Sequence, residues 1–267
     1  MRGTICGAAL LALLLAGGRA GADSTSTRRA RVDRFLVSVL REGVFLFDLR
    51  GQVIWSHRCE AYDAADAGQG QVLVTNRSAG SVFILGRDGT KVWEKGGLQG
   101  PVNAEPLPDG NVLVVENDSG RVVELTPAGS VVREFLGHRT PFDARRRPNG
   151  NTVVADSGNN RIVEYDPQGR KIRETPNLKF PNSLYLFPGG RTLFTTYASG
   201  SIGELDVDGT LLWEKTIGGT LYSIEAEGES LWVSDGAGGR VMRLSRDGTI
   251  LQEIKLGKTF VDVAWCR

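Results

Sequence analysis

The chain contains few of the residues that enzymes most often use for chemistry. Its 267 residues include two histidines and three cysteines, and neither a G-x-S-x-G nor an H-E-x-x-H motif occurs in it. Lys and Arg (32) nearly balance Asp and Glu (31), so no overall charge draws the protein to nucleic acid or to anionic lipid. We therefore expect no nucleic-acid partner.

The chain also lacks an apolar run long enough to span a bilayer. The most apolar stretch, residues 5–16, covers roughly 12 residues, whereas a spanning helix needs about 20. Arg2 precedes it, and the small residues Ala20, Gly21 and Ala22 follow it. This pattern predicts a signal peptide over residues 1–22, with a membrane anchor as the alternative. We expect a flexible leader over 23–32, a domain over 33–267, no membrane span in the mature chain, and a periplasmic or secreted location.

What the chain has in abundance is glycine, with 35 residues, and six of them mark a repeat of about 40 residues. The repeated turn ends at Gly51, Gly89, Gly129, Gly169, Gly209 and Gly248. Around each turn apolar residues alternate, as in VFILGRDGTKVW and IVEYDPQGRKIR, which is typical of a β-hairpin. A second hairpin precedes it, as in NAEPLPDGNVLVVEN. Two hairpins make one four-stranded blade, so the sequence predicts an all-β, six-bladed β-propeller.

The two ends of the chain predict how the ring closes. The first repeat supplies three strands, Phe35–Val39, Val44–Asp48 and Val53–Ser56, and lacks the innermost one. Residues 259–265 match an innermost strand, after which the chain stops. The C-terminal strand is therefore expected to complete the N-terminal blade and to leave no open inner edge. This topology separates Cys59 from Cys266, which makes a disulfide between them geometrically unfavourable.

Several segments resemble known propeller families. ADSGNNRIVEYDPQG, residues 155–169, closely resembles an NHL repeat, and the spacing from Gly51 to Trp55 and from Gly89 to Trp93 is similar to that of quinoprotein (PQQ-like) blades. The LPDGN and RPNGNT segments resemble arylsulfotransferase-like propellers. All of these resemblances imply the same architecture, and none of them fixes an activity.

The repeat also predicts which residues surround the mouth of the central channel, where such propellers meet ligands. One residue stands at the start of each predicted inner strand: Asp63, Asn103, Asp143, Asn182, Tyr222 and Asp262. The ends of the second strands are expected on the same face, where they would form an outer arc: Asn76, Glu116, Asp156, Thr196 and Asp235. The six strand-start residues together with Glu116, Asp156 and Asp235 are our predicted ligand-binding residues.

Two interpretations of these oxygen-bearing side chains are open. Converging carboxylate and amide oxygens are the ligands that Ca²⁺ prefers, and they would also suit a basic or polyhydroxylated ligand. Asp and Asn at strand starts also commonly bond backbone groups of the preceding loop, and a repeat would copy that structural role in every blade.

A further resemblance bears on the Ca²⁺ interpretation. FPNSLYLFPGGRTLFTT is similar to a segment of gluconolactonase-type propellers whose Asn binds a catalytic divalent metal, and this Asn matches Asn182. By blade position the resemblance implies Asn103 and Asp262 as further metal ligands. His138, in the loop ahead of Asp143, is expected on the mouth face, where it would serve as a general base.

The leading functional hypothesis is an exported, non-catalytic propeller that binds a small molecule, a cation or a partner protein at the channel mouth. The alternative is a Ca²⁺-dependent hydrolase resembling the lactonases, with His138 as its base. A third hypothesis makes the propeller a rigid platform in a larger assembly, which a large exposed apolar patch on one face would favour.

Overall fold

Five repeats each fold into a four-stranded antiparallel sheet, and the first repeat forms a sixth sheet together with the last strand of the chain; the six sheets are the blades of a six-bladed β-propeller. The computed structural model describes residues 34–260 and 262–266. The predicted signal peptide (1–22) and leader (23–32) lie outside these residues. Within the described ranges, no helix is long and apolar enough to cross a membrane. The predicted fold class is confirmed.

The strands follow one another from the inside of each blade to its outside. Blade 1 contains β1 (Arg34–Val39), β2 (Gly43–Asp48) and β3 (Val53–His57). The strands of blades 2 and 3 are β4 (Asp63–Gly68), β5 (Gln71–Asn76), β6 (Ser81–Leu85), β7 (Lys91–Lys95), β8 (Pro101–Pro106), β9 (Val112–Glu116), β10 (Arg121–Leu125) and β11 (Val131–Phe135).

The remaining three blades repeat this order. Blade 4 also carries a single 3₁₀ turn at Ser157–Asn159. The strands of blades 4 to 6 and the last strand are β12 (Asp143–Arg146), β13 (Thr152–Asp156), β14 (Arg161–Tyr165), β15 (Lys171–Thr175), β16 (Pro181–Leu186), β17 (Thr192–Thr196), β18 (Ser201–Leu205), β19 (Leu211–Thr216), β20 (Leu221–Glu227), β21 (Ser230–Asp235), β22 (Arg240–Ser245), β23 (Ile250–Lys255) and β24 (Asp262–Cys266).

The glycine that marks the repeat is required by the turn of the outer hairpin. In all six blades its φ lies between 78° and 87°, in the left-handed region that β-carbon-bearing residues avoid. Its N–H donates to the carbonyl three residues earlier, as from Gly129 to Thr126 at 2.8 Å. A register shift follows in each hairpin, for example between Glu124 and Leu125. The turn forms the three-residue hairpin loop that the Asp-Gly pattern favours, and the bulge lies further along the two strands.

The ring closes as the sequence predicts. Strand β24 pairs antiparallel with β1, with Ser38 opposite Asp262 and Phe35 opposite Trp265. The closure strand begins at Asp262, slightly later than expected, and it completes blade 1 as the innermost strand. Cys59, just after β3, carries a free thiol.

The hydrophobic core consists of layers between neighbouring blades. One layer joins blades 3 and 4 through Val115 and Val163, both fully buried. The layer at the closure seam joins blade 6 to blade 1, with Trp232 beside Phe35 and Phe47, and the two Phe rings stack with centroids 5.7 Å apart. These layers fix the six innermost strands around the channel that holds the candidate site.

Candidate functional site: a channel with two chambers

The innermost strands β4, β8, β12, β16, β20 and β24 surround a channel that contains two chambers. Asp63, Asn103, Arg145, Ser183 and Asp262 line both of them. The mouth chamber lies at the strand starts, and the wide chamber extends towards the strand ends. The side chains shared by the two chambers form the partition between them.

The mouth chamber has a volume of about 30 Å³. All six predicted strand-start residues line it: Asp63, Asn103, Asp143, Asn182, Tyr222 and Asp262. Tyr62 and Phe142 add aromatic surface. The structure therefore brings together the inner set that the sequence predicts, around a space that holds only a single small chemical group.

The wide chamber has a volume of about 360 Å³, which lies within the range of small-molecule sites. Its polar wall contains Asp66, Glu105, Arg146, Ser223 and Glu225 in addition to the shared residues. The larger of the two chambers therefore lies towards the ends of the inner strands. The sequence predicts ligand binding at the other end, where these strands start.

Arg145 is the cation around which the channel carboxyl groups are arranged. Its Nε lies 3.0 Å from Asp143 Oδ1. The charges of Asp143, Glu105 and Asp63 outweigh the effect of burial and keep the pKa of Arg145 above its usual range. The neighbouring Arg146 is engaged elsewhere, because it donates to Glu124 at 2.6 Å. One guanidinium therefore serves several carboxyl groups.

The shortage of positive charge is visible in the pKa values of these acids. Burial, the charge of Asp63 and a hydrogen bond to it raise the pKa of Asp262 well above its usual range, although Arg145 acts in the opposite direction. Burial also raises the pKa of Asp143, against the lowering effect of Arg145 and the Leu184 N–H. The pKa of Glu105 rises to about 7, chiefly because the group is buried. The channel thus carries carboxyl groups that are only partly neutralised.

The strand-start aspartates also have a structural role. They accept hydrogen bonds from the backbone of the next blade and not, as one interpretation expected, from the preceding loop. Asp63 Oδ2 accepts the N–H of Ala104 at 3.0 Å, and Asp143 Oδ2 accepts that of Leu184 at 2.7 Å. Each bond joins the inner strand of one blade to that of the next. The aspartates therefore hold the ring together while they line the channel.

Two channel serines were missed by the sequence prediction. Residues 63, 103, 143, 183 and 223 follow a constant interval of 40, so the register equivalents of Asp63 in blades 5 and 6 are Ser183 and Ser223. The hydrogen bonds agree, since Asp63 N donates to Thr75 Oγ1 and Ser183 N to Thr195 Oγ1. The position before each of these five residues also reaches the mouth, since Tyr62, Val102, Phe142, Asn182 and Tyr222 all line the chamber.

The predicted outer arc does not reach the channel. Glu116 and Asp156 are fully buried, Asp235 is 3% exposed, and none of the three lines either chamber. Each meets an arginine five residues later instead. Asp156 accepts from Arg161 Nε at 2.7 Å, Asp235 accepts from Arg240 at 3.0 Å, and Glu116 binds Arg121. The expected acidic arc is corrected to three buried acid–arginine pairs, which we call the clasps.

His138 lies in one of these clasps and not beside the channel. Its side chain has no exposed surface, and Nδ1 lies 3.3 Å from Asp156 Oδ2. Its Nε2 lies 3.3 Å from the Tyr165 hydroxyl. Burial would raise the pKa of Asp156, but the contact with His138 and the hydrogen bonds from Asn159 and the Arg139 N–H lower it to about 2. The expectation that His138 faces a ligand at the mouth is therefore corrected.

The three predicted metal ligands do lie together at the mouth chamber. The Oδ1 atoms of Asn103 and Asn182 are buried without a hydrogen-bond partner, and oxygens of this kind suit a hard cation. However, the Arg145 guanidinium lines the same small chamber and already carries positive charge there. Within the described ranges, no group of three or more His, Cys, Asp or Glu side chains is arranged to hold a metal ion. The divalent-metal site therefore stays a prediction, and the position of Arg145 argues against it.

Solved structures share the fold of this chain. A protein of unknown function from Bacteroides caccae aligns with a TM-score of 0.74 and 15% identity, covering 88% of this chain and 98% of that one. The nidogen/laminin complex gives a TM-score of 0.70 with 14% identity and coverage of 88% and 98%. Virginiamycin B lyase from Staphylococcus aureus gives 0.65 with 15% identity and coverage of 84% of each chain.

No protein-family model matches the chain, and no curated protein matches it in sequence at a significant level. The structural similarities, at these low identities, show the six-bladed propeller fold alone. The specific assignment to NHL or quinoprotein-like repeats therefore stays a prediction.

Proposed function

We propose that this chain is an exported, non-catalytic binding protein that holds a small, positively charged and hydrogen-bond-donating molecule in the wide chamber. The observation that carries the proposal is the charge of the chamber wall. Among the described residues it contains five acidic side chains, Asp63, Asp66, Glu105, Glu225 and Asp262, and two basic ones, Arg145 and Arg146.

Arg146 is shared with Glu124 outside the chamber, and Arg145 is the cation that lies beside the channel carboxyl groups. A basic ligand would supply the missing positive charge in a partly desolvated site, where such interactions are stronger than in water. Ser183 and Ser223 add hydroxyl groups to the wall. An amino sugar combines these features, since it offers one ammonium group and several hydroxyls in a compact shape.

Export is supported by the signal-peptide pattern over residues 1–22, and it places the protein in the periplasm or outside the cell. A hydrolase that uses His138 as its base is less well supported, because Asp156 and Tyr165 surround that side chain. The volume and the charge of the wide chamber favour the binding of a small basic molecule over hydrolysis with His138 as the base.

The test is calorimetric titration of the mature protein with glucosamine, with glucose as the uncharged comparison and Ca²⁺ as the metal. We expect glucosamine to bind, glucose to bind at least about tenfold more weakly, and Glu105→Gln to weaken glucosamine binding. Tyr197→Ala lies outside the chamber wall and serves as the matched control. Equal binding of glucose and glucosamine, or unchanged binding in Glu105→Gln, would reject the proposal.

A further inference from the structure

Five aromatic side chains surround the mouth chamber on the face opposite the wide chamber. Tyr62, Phe142 and Tyr222 stand at the inner strands of every second blade and line the chamber, and blade 5 adds Phe180 and Tyr197. Ring centroids are 5.7 Å apart for Phe142 and Phe180, 6.0 Å for Phe180 and Tyr197, and 5.9 Å for Tyr197 and Tyr222. We call these five residues the aromatic rim.

The aromatic rim is accessible and held in place. Tyr197 is 45% exposed, and its ring meets that of Tyr222 edge-on. Phe180 has a φ of 59°, which is unusual for an aromatic residue. Its N–H donates to Asn160 Oδ1 at 3.0 Å, and its carbonyl accepts the Tyr197 N–H at 3.0 Å. These bonds fix the Phe180 backbone in a strained conformation beside the channel.

Beneath the rim, two buried amide oxygens have no partner. Asn103 is 7% exposed and Asn182 is 4% exposed, and both line the mouth chamber with an unbonded Oδ1. The Asn182 amide nitrogen donates to the Leu221 carbonyl at 3.1 Å, which leaves its oxygen as a free acceptor. A buried acceptor without a partner is costly, so the chamber favours a ligand that donates hydrogen bonds.

The carboxyl groups around the chamber favour a cation. Asp63, Asp143 and Asp262 face one guanidinium, that of Arg145. Three carboxyl groups therefore share one cation, and a further positively charged group in the chamber would be attracted to them.

The size of the chamber restricts the group further. A volume of about 30 Å³ suits a compact ammonium group better than a planar guanidinium, which has four heavy atoms. The faces of aromatic rings attract such a cation, and its alkyl chain packs against them. Because only the head group fits inside, the rest of the ligand must lie outside, against the exposed aromatic rim.

We infer that the mouth chamber binds the primary ammonium group of a lysine side chain presented by a partner protein, with the aromatic rim as the contact surface. The lysine ammonium donates to the free oxygens of Asn103 and Asn182 and is balanced by the channel aspartates. This site lies at the opposite end of the channel from the wide chamber, so it does not depend on the proposed small-molecule ligand.

The experiment titrates the mature protein with a capped oligolysine peptide, its N-acetyl-lysine counterpart and an oligoarginine peptide of equal length, by calorimetry at fixed ionic strength. We expect the acetylated and arginine peptides to bind at least about tenfold more weakly than oligolysine, since neither offers an ammonium group. Tyr197→Ala should weaken oligolysine binding by roughly three- to tenfold, and Tyr197→Phe should restore most of it. Asn103→Leu tests the acceptor without changing charge.

The matched control is Asp88→Asn, which removes a negative charge from an exposed turn outside both chambers and should leave oligolysine binding unchanged. Equal binding of lysine and arginine peptides would overturn the inference, because the contact would then be general electrostatic attraction. Unchanged binding in both Tyr197→Ala and Asn103→Leu would overturn it as well. Glucosamine binding reports on the other chamber, so the two proposals can fail separately.

Discussion

The molecule contains two sets of buried carboxyl groups whose environments are opposite. In the clasps, each of Glu116, Asp156 and Asp235 has its own arginine. In the channel, Asp63, Asp143 and Asp262 share Arg145. The pKa of Asp156 falls to about 2, whereas the pKa of Asp262 rises well above its usual range.

Burial alone does not explain the difference, since both sets lie in the protein interior. The number of donors and cations available to each carboxylate decides the direction of the pKa shift. Carboxylates that each have their own arginine stabilise the ring. Carboxylates that share one arginine can still bind a further cation or hydrogen-bond donor from a ligand. The comparison therefore separates structural acids from candidate binding acids within one repeat.

The largest effect is expected from breaking the clasp of blade 4. Asp156→Ala leaves Arg161 partly buried without its carboxylate, and it also removes the acceptor of the Arg139 N–H. We expect the free energy of unfolding to fall by about 3 kcal/mol, measured by chemical denaturation at neutral pH. Asp88→Asn, in an exposed turn, is the control and should change stability little. If Asp156→Ala were as stable as the wild type, the clasp acids would not have the structural role that we assign to them.

The matching substitution in the channel should act differently. Asp262→Asn replaces the buried carboxyl group next to Asp63 by a neutral amide, so we expect the free energy of unfolding to stay unchanged or to rise by up to about 1 kcal/mol. The same denaturation experiment measures it, and oligolysine binding by the variant should be weakened. A loss of stability as large as that in Asp156→Ala would mean that Asp262 is a structural acid.

The two sets should also respond to pH in different windows. The pKa of Asp156 is lowered in the folded state from 3.8 to about 2, so its stabilising contribution is present above about pH 4 and is lost as the pH falls towards 2. The pKa of Glu105 is raised from 4.5 to about 7. The folded state then binds the proton more tightly, and stability falls as the pH rises from about 4.5 through 7.

Denaturation curves at closely spaced pH values check this assignment. Glu105→Gln should flatten the slope between pH 4.5 and 7 and leave the acid limb intact, whereas Asp156→Asn should alter the acid limb alone. If both variants changed the same window, the two sets would not titrate independently.

The fold was predictable because the turn chemistry repeats. A left-handed turn position admits glycine most easily, so Gly51 to Gly248 mark the six outer hairpins in the sequence itself. The closure by β24 was predictable for a related reason, since the first repeat has three strands and the last segment matches the missing one.

The candidate site was predictable only in part. The strand-start residues do meet at the mouth, but two successive positions in a blade line the chamber there, and the prediction took Asn182 and Tyr222 instead of Ser183 and Ser223. The clasps carried a usable signal, because Arg121, Arg161 and Arg240 each follow an acid by five residues. The wide chamber had no such signal, because its volume depends on how the inner strands are spaced and on where the Arg145 side chain lies.

The smallest expected effect lies at the exposed end of a clasp. Arg121 contacts Glu134 at 3.4 Å, and the Glu134 side chain is 46% exposed, so water screens this pair. Glu134→Gln should lower the free energy of unfolding by no more than about 0.5 kcal/mol, and added salt should reduce the difference further. Glu116→Gln, on the buried side of the same arginine, should cost several times more. Similar losses in the two variants would show that burial does not set the strength of the clasp.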